Sequence, residues 1–353
     1  MNKRTVAFIF GGVGCEHSVS VTGALNLYPH VDREKFKPIP VLISKSGEWL
    51  TEKNYDEPTL DGFLKHAKEG KLMPTFPVRL GKSCGFMIDG DTVECSAAFP
   101  LLHGDGGEDG TVQGALISAG IRFVGCDTVA GAVAIDKGFT KAIAEKLGIP
   151  VVPWIYTADG DAVRFISLAE RTLGYPLFVK AARLGSSVGA YTARCREELV
   201  RAYGLASRLG SMRVIGEKLI EAPRELECGF YSAKGKVIFT NIGEISAKDG
   251  FYDYDTKYVT GNARITDSAD IDSFTKGRIL SYAKLIAEAI GCRGLSRIDF
   301  FLDKGGSIYF NEINTMPGMT GESLYPRLLE GCGISPRDML TELLEDAVYA
   351  GNI

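Results

Sequence analysis

The chain has 353 residues, 45% of them hydrophobic and 24% charged, with a formal net charge of -4. That balance gives no basic field for a nucleic-acid backbone, so any phosphate ligand must be held by individually placed lysines. No apolar run approaches the roughly 18 residues of a membrane span. The opening residues run straight into a strand, without the long apolar stretch and small-residue cleavage site of a signal peptide. The eight cysteines include no CxxC pair, which with no export signal points to a reduced, cytoplasmic compartment. Four histidines without an HExxH motif argue against a zinc hydrolase. Cys15 lies beside a glycine loop but has no recognisable base partner.

Residues 5–10 read as an apolar strand, 18–27 as a helix and 36–43 as a second strand, a βαβ opening of an open α/β sheet. The stretch 45–95 reads as irregular, with a hairpin-like pattern around 85–93. A strand over 97–102 runs into His103-Gly-Asp-Gly-Gly-Glu108-Asp-Gly-Thr, residues 114–119 look helical, and a first domain is expected to close at 127. The second domain, 128–212, opens with a helical segment that has Asp136-Lys137 at its centre and Lys141 one turn on. It continues with a strand over 175–180 ending in Lys180 and a glycine-serine turn at 185–189. In the third domain, 213–353, strands are expected at 214–220 (carrying Glu217-Lys218), 227–231 and 237–242, and helices at 281–290 and 336–348. There are no repeats or low-complexity segments.

Chemistry concentrates in residues 297–314. Two apolar runs joined by Lys304-Gly305-Gly306 have the pattern of a hairpin. Asp299, Glu312 and Asn314 interrupt those runs. Glu312 and Asn314 are two apart, as are Arg297 and Asp299, so each pair shares one face of its strand. If the strands pair, three oxygen ligands converge, a donor set suited to magnesium, which keeps water and substrate phosphates as its other ligands. On an exposed hairpin the same groups would simply be hydrated. The neighbouring Phe, Leu, Ile and Tyr argue for burial, where an unpaired carboxylate is costly.

The loop that begins at Gly11-Gly12 lies between a strand and a helix, a place that suits anions. It is not GxGxxG, and no acidic residue ends the second strand to meet a ribose, which argues against a dinucleotide site. Glu16 in that loop would repel phosphate and attract an ammonium, pointing to an amino-acid substrate. There is no GxxxxGK[ST] loop either. Phosphates would instead meet Lys137, Lys180, Lys257 and the backbone amides of the 185–189 turn. With the hairpin, this set implies ATP held between two sheets. The aromatic, charged segment 250–258 reads as a mobile lid that excludes water from a reactive intermediate; an ordinary exposed loop has the same composition. Gly318 lets a backbone amide approach a ligand closely, and with Arg297 it would bind an oxyanion.

Together these motifs resemble the D-alanine–D-alanine ligases of the ATP-grasp fold, over essentially the whole chain. The carriers are Gly11-Gly-x-x-x-Glu16, His103-Gly-x-x-Gly-Glu108-Asp-Gly, Asp136-Lys137, Lys180, Gly185-Ser-Ser-Val-Gly and Glu217-Lys218. Tyr252-Asp-Tyr-Asp-Thr-Lys257-Tyr258, Arg297-Ile-Asp299 and Asn311-Glu312-Ile-Asn314-Thr-Met-Pro-Gly318 complete the set. The resemblance implies an α/β (α+β ATP-grasp) protein, with an N-terminal open α/β domain and two ATP-grasp subdomains that clamp ATP between two sheets. It implies that Glu16, Ser186 and Tyr258 hold the first D-alanine, and that Lys137, Lys180 and Lys257 contact the phosphates. Glu217 and Glu225 would hold the adenine and ribose end, with Lys218 to Ile220 as hinge. Asp299, Glu312 and Asn314 would ligate two magnesium ions, or manganese in their place. Arg297, Gly318, Ser323 and His103 would surround the second substrate and the oxyanion, with Glu108 beside them in the His103 loop. The implied reaction phosphorylates the first D-alanine carboxylate, after which the amine of the second attacks and phosphate leaves.

Relatives that make D-alanyl-D-lactate carry a histidine-bearing lid, whereas Lys257-Tyr258 stands here. Relatives that make D-alanyl-D-serine, of the vancomycin-resistance type, place arginine after the serine that matches Ser323. Leu324 stands there in this chain and offers no donor for a hydroxyl. D-alanine is therefore the expected acceptor, with D-serine the alternative. Glu322, and a lid tail without the usual proline, depart from the family pattern. The rivals are another ATP-grasp carboxylate–amine ligase or a non-catalytic nucleotide binder; the latter would have lost Asp299, Glu312 or Arg297. A cytoplasmic homodimer joined through the first domain completes what the resemblance implies, with no nucleic acid or membrane partner.

Overall fold

The computed structural model describes residues 3–185, 188–209, 212–247 and 263–349. Its strands form three sheets. The first contains β1 (Arg4–Gly11), β2 (Phe36–Ile43), β3 (Trp49–Thr51), β4 (Met73–Leu80), β5 (Ser83–Ile88), β6 (Asp91–Glu94) and β7 (Ala97–Leu102), in the order β6-β5-β4-β3-β2-β1-β7. β1 pairs in parallel with β2 and β7, and these near-continuous apolar runs are covered on both faces, as interior parallel strands require. Side chains alternate along β1. Val6, Phe8 and Phe10 pack with α1 (His17–Leu27) and with α10 (Pro336–Tyr349), the last described helix. Ala7 and Ile9 pack instead with α3 (Thr111–Ser118).

The stretch 45–95 is not irregular: it holds β3, α2 (Asp61–Lys68) and the antiparallel ribbon β4–β5–β6. Pro74 and Pro77 lie within β4, where proline normally reads as a strand breaker. The ribbon lies at the sheet edge, and β4 and β6 are largely half-buried or exposed, so their apolar pattern is faint.

Two helices, α4 (Thr128–Ala134) and α5 (Lys137–Lys146), lead to the second sheet. Asp136-Lys137 is thus not at the centre of one helix. Asp136 is the N-cap of α5, its Oδ1 accepting from the Gly138 amide at 3.0 Å, because a short carboxylate competes well for orphan helix amides. The second sheet is antiparallel, in the order β10 (Ala190–Ala193), β9 (Leu177–Ala181), β11 (Val214–Lys218), β8 (Trp154–Thr157). Leu177 and Val179 face α6 (Ala162–Thr172) and α7 (Arg196–Leu209), while Phe178 and Lys180 face a cavity on the other side.

The third sheet is antiparallel, in the order β14 (Ala263–Thr266), β13 (Lys236–Ala247), β12 (Arg224–Ala233), β15 (Leu295–Leu302), β16 (Ile308–Asn314). One face, with Cys228, Ile298 and Ile313, buries α8 (Ser273–Ile290) and parts of α4 and α5. α8 starts earlier than the pattern at 281–290 indicates. Asp272 caps it by accepting from the amides of Phe274 and Thr275, and its polar first turns hid the start. The hairpin turn is organised by Asp303, which accepts from the amides of Gly305 and Ser307 at 2.8 Å each. The Phe310 amide donates to Pro150 at 2.8 Å, fastening the segment ahead of the second sheet to β16. Among the described residues no helix is long and apolar enough to cross a membrane.

Candidate active site

The second and third sheets enclose a cavity of about 440 Å³ lined by Phe178, Lys180 and Glu217 on one side and by Glu225, Arg297, Asp299 and Glu312 on the other. Lys137 at the start of α5 also faces it, as do Lys218 to Ile220, the segment after β11. Polar side chains reach this space because each occupies the strand face opposite an apolar core.

Lys180 Nζ lies 2.6 Å from Glu217 Oε2, and Lys141 Nζ lies 2.6 Å from Glu217 Oε1. Burial alone would raise the Glu217 carboxyl, but the two ammoniums overcome it and hold it at about 2. Lys137 Nζ sits 3.1 Å from Glu312 Oε2 and donates to the Leu184 carbonyl at 2.7 Å. Burial opposes its charge, yet Glu312 keeps its pKa raised. The Lys218 ammonium turns away to the carbonyls of Leu173 and Tyr175, at 3.2 and 2.9 Å, and so anchors its segment.

On the hairpin, Arg297 is the cross-strand partner of Asn314, and Asp299 that of Glu312. A bulge follows Asp299, so the pairing skips Asn311, whose Oδ1 accepts from Lys180 at 3.4 Å. Arg297 grips Asp299 with two bonds, Nε to Oδ1 at 2.8 Å and Nη2 to Oδ2 at 2.6 Å. Its Nε is also 3.3 Å from Glu227 Oε2. Burial acts against the guanidinium, but Asp299 and Glu227 hold its pKa well above the usual value. Asn314 Nδ2 donates to Asp299 Oδ2 at 3.2 Å. Among the described residues no three His, Cys, Asp or Glu side chains cluster as a metal site. The hairpin offers two carboxylates and an amide, hard oxygen donors now neutralised by Arg297 and Lys137. That set suits an ion which takes few protein ligands and brings water and phosphate with it.

A second cavity, of about 90 Å³, opens among Glu16, His103, Arg297, Gly318, Ser323 and Leu324. The loop after β16 forms one wall and is stitched to the first sheet. The Met316 amide donates to Glu108 Oε1 at 3.0 Å, the Met316 carbonyl lies 3.0 Å from His103 Nδ1, and Asn26 Nδ2 donates to the Met319 carbonyl at 3.0 Å. Glu108 Oε2 also accepts from the Gly104 amide. Burial first, then Glu16, push the Glu108 carboxyl up to about 8 against those two amide bonds. Burial pushes the His103 imidazole down, and its Nε2 has no hydrogen-bond partner among the described residues. With Nδ1 donating to Met316, Nε2 is an acceptor. Gly104 (φ +65°) approaches Glu16 so closely that a Cβ would stand 2.7 Å from its Oε2. Ser323 Oγ accepts from the Thr320 amide at 3.0 Å, which shapes the loop that carries Gly318. Leu324, the first residue of α9 (Leu324–Glu330), is buried with Ile245 and Leu328, and Ile265 packs against them. A smaller cavity lined by Glu16, Lys137, Gly185, Glu312 and Asn314 lies beside these two. Ser186, Lys257, Tyr258 and the lid segment 250–258 lie outside the described residues.

The D-ala D-ala ligase N-terminus family profile matches residues 5–126, and the D-ala D-ala ligase C-terminus profile matches 143–345. The chain belongs to the D-alanine–D-alanine ligase family. It is accordingly an ATP-dependent, ADP-forming ligase that acts on small molecules. It is 36% identical to the D-alanine–D-alanine ligase of Acetivibrio thermocellus, covering 99% of this chain and 97% of that one. With the Deinococcus radiodurans enzyme of the same name identity is 38%, covering 98% and 99%. Among solved structures, the VanG D-Ala:D-Ser ligase from Enterococcus faecalis superposes with a TM-score of 0.86 at 34% identity, covering 98% of this chain and 99% of that chain. D-alanyl-alanine synthetase A from Vibrio cholerae gives 0.85 at 30% identity, covering 99% of each.

Sequence reading missed Glu227 and the contribution of Lys141 to this ligase site. Glu227 is two residues from Glu225 and pairs in register with Asp299 on β15, so the period of a strand was the available signal. Lys141 is one helical turn from Lys137, the spacing that puts both on one helix face.

Proposed function

We propose that this ligase condenses two D-alanine molecules into D-alanyl-D-alanine, for peptidoglycan synthesis in a bacterial cytoplasm, through a D-alanyl phosphate. The chain divides into an N-terminal domain, 1–127, that carries Glu16 and the His103 loop, and two subdomains, 128–212 and 213–353, that close on ATP; a homodimer would form through the first domain. Glu16 attracts the ammonium of the first D-alanine, joined by Ser186 and, on lid closure, Tyr258. Lys137, Lys180 and Lys257 meet the phosphates, while Glu225 and the Glu217–Ile220 segment hold adenosine. Asp299, Glu312 and Asn314 would hold two magnesium ions, which when bound offset charge on the transferring phosphoryl group.

Arg297 and the Gly318 amide would then stabilise the oxyanion formed as the second amine attacks. His103, which lines that space and which burial keeps neutral, would take the amine's proton. The observation that carries the acceptor choice is the apolar wall of Leu324, Ile245 and Ile265 beside Arg297 and Gly318. A wall that pairs no hydroxyl favours a methyl group lying against it. The likeness to VanG keeps D-serine as the second reading. With D-alanine, ATP and magnesium, we expect phosphate release and D-alanyl-D-alanine as product. No release with D-alanine alone overturns the reading. Preferential D-Ala-D-Ser formation from a mixture overturns only the acceptor.

A further inference from the structure

We propose that Lys141 is a positioning residue of the nucleotide site, which neutralises Glu217 so that the charge of Lys180 remains available to phosphate. The inference rests on the assignment of Lys180 to phosphate made above.

Two ammoniums share one carboxylate: Lys141 Nζ and Lys180 Nζ each lie 2.6 Å from a different oxygen of Glu217. Lys180 lines the 440 Å³ cavity, whereas Lys141 does not. The Lys141 side chain is 0% exposed, and its Nζ also lies 3.5 Å from the Phe310 carbonyl. Burial pushes its pKa down, and Glu217 acts against that to keep the ammonium charged. It therefore cannot touch a nucleotide directly. With Lys141 present, the trio carries one net positive charge, presented to the cavity through Lys180. Without it, Glu217 would cancel Lys180, and the wall facing the phosphates would be neutral. The carboxyl is held at about 2, so Glu217 stays ionised through the neutral range. In a buried site such a change in charge acts with little screening. A fully buried lysine is rare unless paired, and an apolar residue would fill the same volume without the cost of desolvation. The charge, rather than the packing, is what this position contributes.

Binding of adenosine and of magnesium-free ADP, each measured by calorimetry, separates phosphate recognition from recognition of the nucleoside. Lys180→Met tests the underlying assignment and should lower the preference for ADP over adenosine roughly tenfold, a shift of about 1.4 kcal/mol. Lys141→Met should lower that preference by a similar factor. Lys141→Met combined with Glu217→Gln leaves Lys180 as the single uncancelled charge, as in the wild type, and should recover the wild-type preference within about threefold. If Lys180→Met leaves the preference unchanged, the phosphate role of Lys180 fails. If Lys180→Met lowers it and Lys141→Met does not, this inference fails by itself. Should Lys141→Met not fold, the double variant against the wild type still decides: equal preferences uphold the role through Glu217, and a tenfold loss overturns it.

Discussion

Glu312 is caught between two demands, as the partner of Lys137 and as one of the oxygen donors on the hairpin. Replacing it by Gln keeps the shape and removes the charge. Turnover, measured as phosphate release, should fall by roughly 100-fold or more, because a metal clamp supplies several kcal/mol, while the circular dichroism spectrum stays unchanged. Retained activity would remove Glu312 from the metal set. Glu108 carries a different signature. Its carboxyl is raised from an ordinary 4.5 to about 8. The associated stability is therefore fully present below about 4.5 and is lost as pH climbs through about 8. The unfolding free energy of the native protein from urea titration should decline over that window relative to Glu108→Gln, by an amount on the order of a few kcal/mol. Parallel pH profiles would mean that Glu108 titrates normally.

At the scale of elements, the parallel strands β1, β2 and β7 were legible because their apolar runs are long. The hairpin was legible because its carboxylates interrupt such runs. The hairpin-like pattern around 85–93 is the β5–β6 pair, but β4 was not legible, since its prolines and a half-exposed edge erase the alternation on which strand reading depends. The break between α4 and α5 depended on weighing Asp136 as a cap rather than as a helix interior. Glu16, His103, Gly318 and Ser323 do line one cavity, and the shared face of Arg297 and Asp299 followed from their spacing. The docking of Met316 on Glu108 and His103 was not legible, because it exists only after the sheets assemble. The end of β1 shows how tight that assembly is. Gly11 (φ +99°) lies where a Cβ would come within 2.2 Å of the Ile43 carbonyl oxygen. Gly11→Ala combines strain with a backbone clash and should cost about 1–3 kcal/mol or more, read as a lower thermal midpoint. An unchanged midpoint would show that β1 and β2 separate freely at that end.

Across the whole molecule, the core of the second sheet stands apart, whereas the first sheet shares a core with the third and with α10. The two tryptophans of the chain divide along this line. Trp49 is on β3 of the first sheet, and Trp154 is on β8 of the second. Leu340 on α10 is 0% exposed within the shared core. Leu340→Ala should shift the denaturant transition seen by Trp49 by roughly 2–5 kcal/mol. The transition seen by Trp154 should move by no more than about 0.5 kcal/mol, each probe being read alone after replacing the other tryptophan by Phe. Equal shifts would mean that the sheets unfold as one unit.

The shared core also bears on how the chain is made. Domains ordinarily fold as they leave the ribosome, the earliest first. Here Val6, Phe8 and Phe10 remain without part of their apolar cover until Met339, Leu340, Leu343 and Leu344 of α10 arrive. The sheet translated first is thus among the last parts to be completed, and during synthesis its open face is a surface for chaperones to shield.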